Sequence, residues 1–253
     1  EEIPPGAQFH TIIIPNSDTV RNQYLMETYI WSGRHVLFSG VTGTGKTISI
    51  SNMLLKGFDR EKFANISFAF SAQTTHNQTQ EIIDSKLEKR RKGVYGPPVG
   101  KNMLIFVDDL NMPAIETYGA QGAIEILRQA MFMHGWYERK TNDFRALQDI
   151  QFIGAMGPPG AGKNPITARY TWNFSLLFVP PYAGDGLNRI FETIMKWFFG
   201  QFSSTVAGLT KNVVSATLDI FSVCCNDPQM LPTPAKSHYT FNLRDLSKVF
   251  QGI

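Results

Sequence analysis

The chain has 253 residues, 43% hydrophobic and 18% charged, a composition that is typical of a folded globular protein and excludes a disordered one. Its net charge of +3 is too small to predict nucleic-acid binding, and no apolar run approaches the roughly 18 residues of a membrane span, so we expect no nucleic-acid and no membrane partner. The two cysteines, Cys224 and Cys225, are adjacent, which excludes a disulfide framework and favours free thiols in a reducing compartment.

The first predicted elements are an extended segment and a helix. The pattern over residues 9–15 predicts an entry strand, and that over residues 19–31 predicts a helix ended by Gly33. The chain opens on Glu1 instead of Met, and no signal peptide precedes the first element. We therefore expect a fragment of a longer protein.

The most specific motif follows an apolar run over residues 35–38. Residues 40–47 read GVTGTGKT and fit the phosphate-binding loop, G-x-x-x-x-G-K-[ST], at every fixed position. Glycines let backbone N–H groups converge on phosphate oxygens, and the helix predicted to about residue 56 adds its positive dipole end. We expect Lys46 to reach the β- and γ-phosphates and the Thr47 hydroxyl to ligate Mg²⁺. The loop thus predicts nucleoside triphosphate binding by Gly40, Thr42, Gly43, Thr44, Gly45, Lys46, Thr47 and Ile48.

Strands and helices alternate in the next part of the chain. The predicted strands cover residues 66–70, 103–107, 150–155 and 175–179. The predicted helices run from the polar residues 73–80 through residue 89 and from 121 to about 134, and residues 89–98 suggest a loop or hairpin excursion. This alternation predicts an α/β fold, a five-stranded parallel sheet with helices on both faces.

The pattern changes after about Ala183, where no further strand is predicted. Residues 186–202, 205–225 and 243–251 predict three helices of a small lid. We therefore predict a large α/β nucleotide-binding domain over residues 1–183 and an all-helical lid domain over residues 184–253. Because the last helix has no capping signal before Ile253, we expect the lid to be truncated at its C-terminus.

The continuously apolar strand over residues 103–107 ends in Asp108 and Asp109. Ligands of open α/β sheets bind at the carboxyl ends of strands, so we expect Asp108 to hold the water shell of Mg²⁺. Asp109 stands where hydrolytic enzymes of this kind place a glutamate that orients the attacking water. Its carboxylate falls about 1 Å short, a misplacement that can cost on the order of 10²-fold in rate. Lys46 and Asp109 are the candidate catalytic residues.

A second glycine-rich stretch, residues 157–163, also matches the glycine and lysine positions of a phosphate loop. Asn164 replaces the hydroxyl residue there, and Pro158 and Pro159 remove N–H donors that a phosphate would need. The pattern therefore favours a tight connection after the fourth strand over a second phosphate site.

Taken in order, the motifs of the chain resemble those of axonemal dynein heavy chains, specifically the third AAA+ module of their motor ring. The resemblance spans essentially the whole chain. The residues that carry it are 12–15 with 18–21, 38–47, 70–74, 106–113, 118–121, 155–159, 231–239 and 241–247.

The resemblance implies a six-module motor ring in which this module binds ATP or ADP, with Mg²⁺, between an AAA+ P-loop NTPase large domain and its lid. Ile14, Pro15 and Val20 would contact the adenine, and Arg244 would be the lid arginine that grips the phosphates. Arg169 matches the arginine finger offered across the ring to a neighbouring module's nucleotide.

The same resemblance implies partners and a location. The partners are neighbouring AAA+ modules of the same heavy chain, microtubules through other parts of the parent, and dynein intermediate and light chains indirectly. The location is the cytoplasm, cytoskeleton and ciliary axoneme.

Three features depart from the family pattern. The first is the segment of residues 161–164, AGKN, where the family tends to carry Gly-Arg-Asn. Gly157 stands where AAA+ ATPases often place a polar residue that positions water, and Trp172 stands where the family often has a second arginine. Together with Asp109, Gly157 predicts slow hydrolysis, so the expected function is nucleotide-dependent gating of a microtubule motor. Two alternatives stay open: a fully competent ATPase module, and a structural spacer whose nucleotide never exchanges.

Overall fold

The computed structural model describes residues 3–4, 6–9, 12–160, 162–182, 184–236, 239 and 241–253. The chain divides into two compact units. The larger unit comprises residues 21–41 and 45–180, and the smaller unit comprises the described part of residues 1–20, 42–44 and 181–253.

The elements up to residue 180 include both helices and strands, and in two places three strands follow one another without a helix between them. In chain order they are α1 (Ser17–Trp31), β1 (His35–Ser39), α2 (Lys46–Asn52) with a π-helical turn (Met53–Gly57), β2 (Phe63–Ala69), α3 (His76–Asp84), β3 (Glu88–Arg91), β4 (Val94–Gly96), β5 (Asn102–Asp108), α4 (Gly122–Met133), β6 (Gly135–Tyr137), β7 (Phe144–Leu147), β8 (Ile150–Met156), α5 (Ala168–Thr171) and β9 (Phe174–Phe178).

The main sheet of the larger unit has five strands in the order β2-β5-β8-β1-β9, and every pairing is parallel. Side chains that alternate along β5 enter two different cores. The odd-numbered ones pack with α3 and α4, and the even-numbered ones pack with α1 and α2. The predicted α/β fold, with a parallel sheet covered on both faces, is confirmed.

A second sheet of four short strands, in the order β3-β4-β7-β6, completes the larger unit. The predicted hairpin excursion is confirmed as the antiparallel pair β3 and β4. Strands β6 and β7 were not predicted, because segments of three and four residues carry too little periodicity to be recognised. Tyr137 and Phe144 pack edge to face across this pair, with ring centroids 5.3 Å apart.

The predicted extension of a helix through residue 89 is wrong, because α3 ends at Asp84 and β3 begins at Glu88. The Asp84 carboxylate accepts hydrogen bonds from the Trp136 indole at 3.2 Å and from Arg145 at 3.1 Å. These partners lie on β6 and β7 and hold the end of α3 against the second sheet.

The predicted entry strand over residues 9–15 is also wrong where the structure describes it, since residues 9 and 12–15 lie in no strand. Residues 10 and 11 lie outside the described residues. The segment instead leads into a helix cap. The Asn16 side chain accepts a hydrogen bond from the Thr19 N–H at 2.7 Å, and the Thr19 hydroxyl accepts one from the Asn16 N–H at 2.9 Å. This reciprocal cap defines the start of α1.

The C-terminal part of the smaller unit is helical. Its elements are α6 (Gly184–Phe199), α7 (Ser204–Gly208), α8 (Thr210–Asn226), a 3-10 turn (Pro234–Lys236) and α9 (Leu243–Gly252). The predicted helical region is confirmed, although the helix expected over residues 205–225 is interrupted at Leu209.

The smaller unit has its own apolar core, in which the rings of Phe191 and Phe250 stack at 4.2 Å. None of the helices in the described part of the chain combines the length and apolar character needed to cross a bilayer.

His35 opens β1, and its Nδ1 accepts a hydrogen bond from the backbone N–H of Phe152 on β8 at 3.0 Å. Burial, with a further contribution from His134, lowers the pKa of His35 from 6.5 to about 4. The unfolded chain therefore takes up this proton at a higher pH than the folded chain does. Stability is lost as the pH falls through this interval.

We expect the titration of His35 to lower the free energy of unfolding by about 2 kcal/mol when the pH falls from 7 to 5. Urea unfolding followed by tryptophan fluorescence at the two pH values measures it. His35→Asn keeps an acceptor for the Phe152 N–H but does not titrate, so this variant should lose correspondingly less stability. An equal loss in both proteins would contradict the assignment.

Candidate phosphate-binding site

The base of the glycine loop is fixed by the main sheet. The Gly40 N–H donates to the carbonyl of Met156 at the end of β8, at 3.3 Å. A Cβ atom on Gly40 would lie only 2.3 Å from the carbonyl oxygen of Val179. Glycine is therefore required at position 40 because another backbone segment passes there.

The later part of the loop depends on glycine for its backbone conformation. Gly43 and Gly45 have φ angles of +89° and +71°, in the left-handed region that glycine adopts without strain. Gly45 is the N-cap of α2 and offers no side-chain acceptor. The first N–H groups of α2 are therefore not capped by that residue.

Lys46 reaches back along the loop that precedes it. Its Nζ donates to the carbonyls of Gly40 at 2.8 Å and Val41 at 2.7 Å. These two bonds place the ammonium charge beside the first residues of the loop.

The two predicted magnesium ligands lie together in the larger unit. The Thr47 hydroxyl donates to Asp108 Oδ2 at 2.7 Å, although the residues are 61 positions apart in the chain. The other carboxylate oxygen, Asp108 Oδ1, accepts the backbone N–H of Asp109 at 2.9 Å. A hydroxyl and a carboxylate side by side are oxygen ligands of the kind Mg²⁺ prefers, and that ion uses few protein ligands.

Asp109 follows β5 with a φ of +48°, a left-handed conformation that is uncommon for a residue with a side chain. Its Oδ1 accepts a hydrogen bond from the Lys163 ammonium at 2.9 Å. The candidate base is therefore ion-paired. No sequence pattern indicated this partner, because Lys163 belongs to the stretch that only mimics a phosphate loop.

That stretch forms the tight connection that was predicted after the fourth strand. The Gly160 N–H donates to the Lys163 carbonyl at 2.9 Å, and the Lys163 N–H donates back at 3.0 Å. Two N–H groups that a phosphate would need are thus used within the turn.

Asn111 and Asn164, which sequence analysis did not assign to the site, hold this turn in place. Asn111 is 1% exposed, and its amide donates to the Gly157 carbonyl at 2.8 Å. The Asn164 amide donates to the Pro113 carbonyl at 2.8 Å. The only sequence signal for them was their position beside the Asp108 segment and the second glycine-rich stretch.

Arg169, the predicted arginine finger, lies on α5 and contacts Glu125 of α4. Its Nη2 and Nε lie 2.6 and 3.1 Å from Glu125 Oε1, while Arg128 Nε lies 2.7 Å from Oε2. Burial acts to raise the pKa of Glu125, but the hydrogen bonds from Arg128 and Arg169 outweigh it and the pKa is lowered. Arg169 is thus held by its own chain in this structure.

Ile48, also predicted to bind nucleotide, lies on α2 of the larger unit and is exposed. The other predicted site residues belong to the smaller unit. They are Ile14, Pro15, Val20, Thr42, Gly43, Thr44 and Arg244.

Within that unit the loop tip adjoins the start of α9. A Cβ atom on Gly43 would lie 3.3 Å from the backbone nitrogen of Leu243, the first residue of that helix. Arg244 follows directly and is exposed, whereas the Asp245 side chain accepts the Asn242 N–H in a capping box. Val20 is exposed and Ile14 is half-buried.

A strand, a glycine loop and a helix, with an acidic residue at the end of a parallel strand, define a P-loop nucleotide-binding domain of the α/β class. The family described as the P-loop containing dynein motor region matches residues 1–182, and the AAA+ lid domain matches residues 213–253. The chain belongs to this dynein motor family, and membership implies nucleotide binding.

Curated relatives agree with this assignment. Dynein axonemal heavy chain 1 of Rattus norvegicus is 49% identical over 98% of this chain, and dynein axonemal heavy chain 12 of Mus musculus is 43% identical over 97%. Dynein axonemal heavy chain 3 of Homo sapiens is 43% identical over 100%. The chain spans only 6%, 8% and 6% of these three relatives, respectively. The resemblance to axonemal dynein heavy chains is confirmed, and the assignment to the third module stays a prediction.

Substitution of Gly40 tests the geometry at the base of the loop. We expect Gly40→Ala to lower the free energy of unfolding by about 2 kcal/mol, because the new methyl group would collide with the Val179 carbonyl. Urea denaturation measures this change. Gly208→Ala is the matched control, since a Cβ atom there meets nothing within 4 Å. Equal stability of both variants would show that the contact at Gly40 is absent.

Proposed function

We propose that the chain is the third AAA+ module of an axonemal dynein heavy chain, which binds ATP or ADP with Mg²⁺ and regulates a microtubule motor while hydrolysing slowly. The observation that carries this proposal is the hydrogen bond between Thr47 and Asp108 beside an intact glycine loop. Lys46, on the same loop, supplies the positive charge.

Each group of the larger unit has a defined part in this proposal. Lys46 exchanges its loop carbonyls for β- and γ-phosphate oxygens, which are stronger acceptors because they are charged. Thr47 and Asp108 hold Mg²⁺ through the hydroxyl and carboxylate that now bond each other. When bound, the ion neutralises phosphate charge.

Slow hydrolysis is supported by the surroundings of Asp109. Its carboxylate is one methylene shorter than a glutamate, and it is ion-paired with Lys163. Gly157, at the end of the neighbouring strand β8, has no side chain with which to position a water. These features favour retention of a nucleotide over rapid turnover.

Contacts with the adenine and with phosphate oxygens are proposed for four further residues. Ile14 is half-buried and Pro15 and Val20 are exposed, so these residues leave apolar surface that suits an adenine ring. Arg244 is exposed at the start of α9 and would grip phosphate oxygens bidentately. For Arg169 to act as a finger toward a neighbouring module, it must exchange Glu125 for a phosphate.

The proposal extends to the parent protein through the family. The chain would contact neighbouring AAA+ modules of its own heavy chain, and would reach microtubules and the intermediate and light chains only through other parts of it. Its location would be the cytoplasm, in the cytoskeleton of the ciliary axoneme.

Equilibrium binding of fluorescent ATP and ADP with Mg²⁺ tests the nucleotide site. We expect Lys46→Ala to weaken binding on the order of 10- to 100-fold, since a charged hydrogen bond to phosphate contributes roughly 1.5–3 kcal/mol. Lys56→Ala, at an exposed lysine ten residues along the same helical segment, is the matched control and should bind normally. Wild-type affinity no better than that of Lys46→Ala would refute the proposal.

Exchange and turnover distinguish gating from the two alternatives. Bound ADP that survives extended dialysis against excess ATP would indicate a structural spacer. Turnover above about 1 s⁻¹, abolished by Asp109→Asn, would indicate a competent ATPase. The turnover assay needs the neighbouring modules present, because an arginine from another module would act on this nucleotide.

A further inference from the structure

The ion pair between Lys163 and Asp109 is partly enclosed and is supported by further hydrogen bonds. The Lys163 side chain is 17% exposed and that of Asp109 is 45% exposed, so the lysine is the more enclosed partner. The backbone of Lys163 is fixed by two hydrogen bonds to Gly160, and the next residue donates its N–H to the Asn111 carbonyl at 2.9 Å. The backbone hydrogen bonds of Lys163 and Asn164 therefore fix the position from which the ammonium reaches Asp109.

Gly157 provides the room for this lysine. A Cβ atom on Gly157 would lie 2.9 Å from Lys163 Nζ and 3.0 Å from its Cδ. The lysine stem thus passes over the glycine and fills the space that a side chain at position 157 would occupy. The sequence suggested that position 157 simply lacks a polar group. In the structure the Lys163 ammonium, from the turn that follows, lies in that place.

Asp109 is in turn connected to the rest of the phosphate site. Its N–H donates to Asp108 Oδ1, while Asp108 Oδ2 accepts the Thr47 hydroxyl. A chain of hydrogen bonds therefore runs from Lys163 through Asp109 and Asp108 to the glycine loop. A change at the lysine acts on the candidate base itself.

We propose that Lys163 is a positioning residue that holds the Asp109 carboxylate in an ion pair and thereby keeps hydrolysis slow in this module. This inference rests on the proposed function. In the reaction, a water oxygen bonds to the γ-phosphorus, the bond to the bridging oxygen breaks to leave ADP, and a water proton passes to Asp109. While Lys163 donates to Oδ1, that oxygen is engaged in the ion pair and is not free to accept a water proton.

Single-turnover hydrolysis of radiolabelled ATP bound at this site, measured with the neighbouring modules present, tests the role of the lysine. Lys163→Met keeps the stem over Gly157 but removes the ammonium, so we expect the rate to rise about tenfold, a part of the 10²–10⁴-fold that a freed base can supply. Lys163→Arg keeps the charge and should stay within about twofold of the wild type. A purely structural role would not separate these two variants.

Two control variants and one substitute variant complete the experiment. Adding Asp109→Asn to Lys163→Met should abolish the gain, because the freed group is that carboxylate. Lys92→Met removes the same charge from an exposed position between β3 and β4 and should leave the rate unchanged. Lys163→Gln replaces Lys163→Met if circular dichroism shows that the latter does not fold.

The outcomes separate this inference from the proposed function. ATP binding by Lys163→Met at wild-type affinity, with an unchanged or lower rate, overturns the inference alone. An equal rise in Lys163→Arg overturns it as well, since the charge would then not be the cause. If the wild type binds ATP no better than Lys46→Ala does, the proposed function and the inference both fail.

Discussion

The hydrogen bond from the Thr47 hydroxyl to Asp108 Oδ2 joins segments that are 61 positions apart. It depends on β1 and β5 being parallel strands of one sheet, separated only by β8, so that their carboxyl ends open at the same edge. The two apolar cores hold those strands in register by covering both faces of the sheet. The chemistry of the site is therefore a consequence of strand order, and packing far from the loop maintains it.

Sequence reasoning found the parts of the fold whose signal is local. Alternating apolar and polar segments identified the five parallel strands, and the fixed positions of the glycine loop indicated the candidate phosphate site. The second sheet and the C-terminal end of α3 depend instead on contacts with residues that are distant in the sequence. Trp136 and Arg145 determine where α3 ends by contacting Asp84, and no pattern within the helix itself contains that information.

The contacts within the site also divide into those that sequence motifs predict and those that depend on packing. The proximity of Thr47 and Asp108 follows from parallel topology and could be anticipated from two motifs. The pairing of Lys163 with Asp109 could not, because it depends on the path of one side chain over Gly157. Likewise, the contact of Arg169 with Glu125 depends on how α5 packs beside α4. Sequence motifs identify the candidate side chains. Packing determines which of those side chains already have a hydrogen-bond or ion-pair partner within the chain.

The contact of Lys163 with Gly157 also constrains how this sequence can diverge. An asparagine at position 157 would displace the flexible end of the lysine, and a short residue at position 163 would leave Asp109 without this partner and a gap above the glycine. A change at either position therefore alters the ion pair of Asp109. The two residues form a coupled pair, which we expect to vary together among related modules.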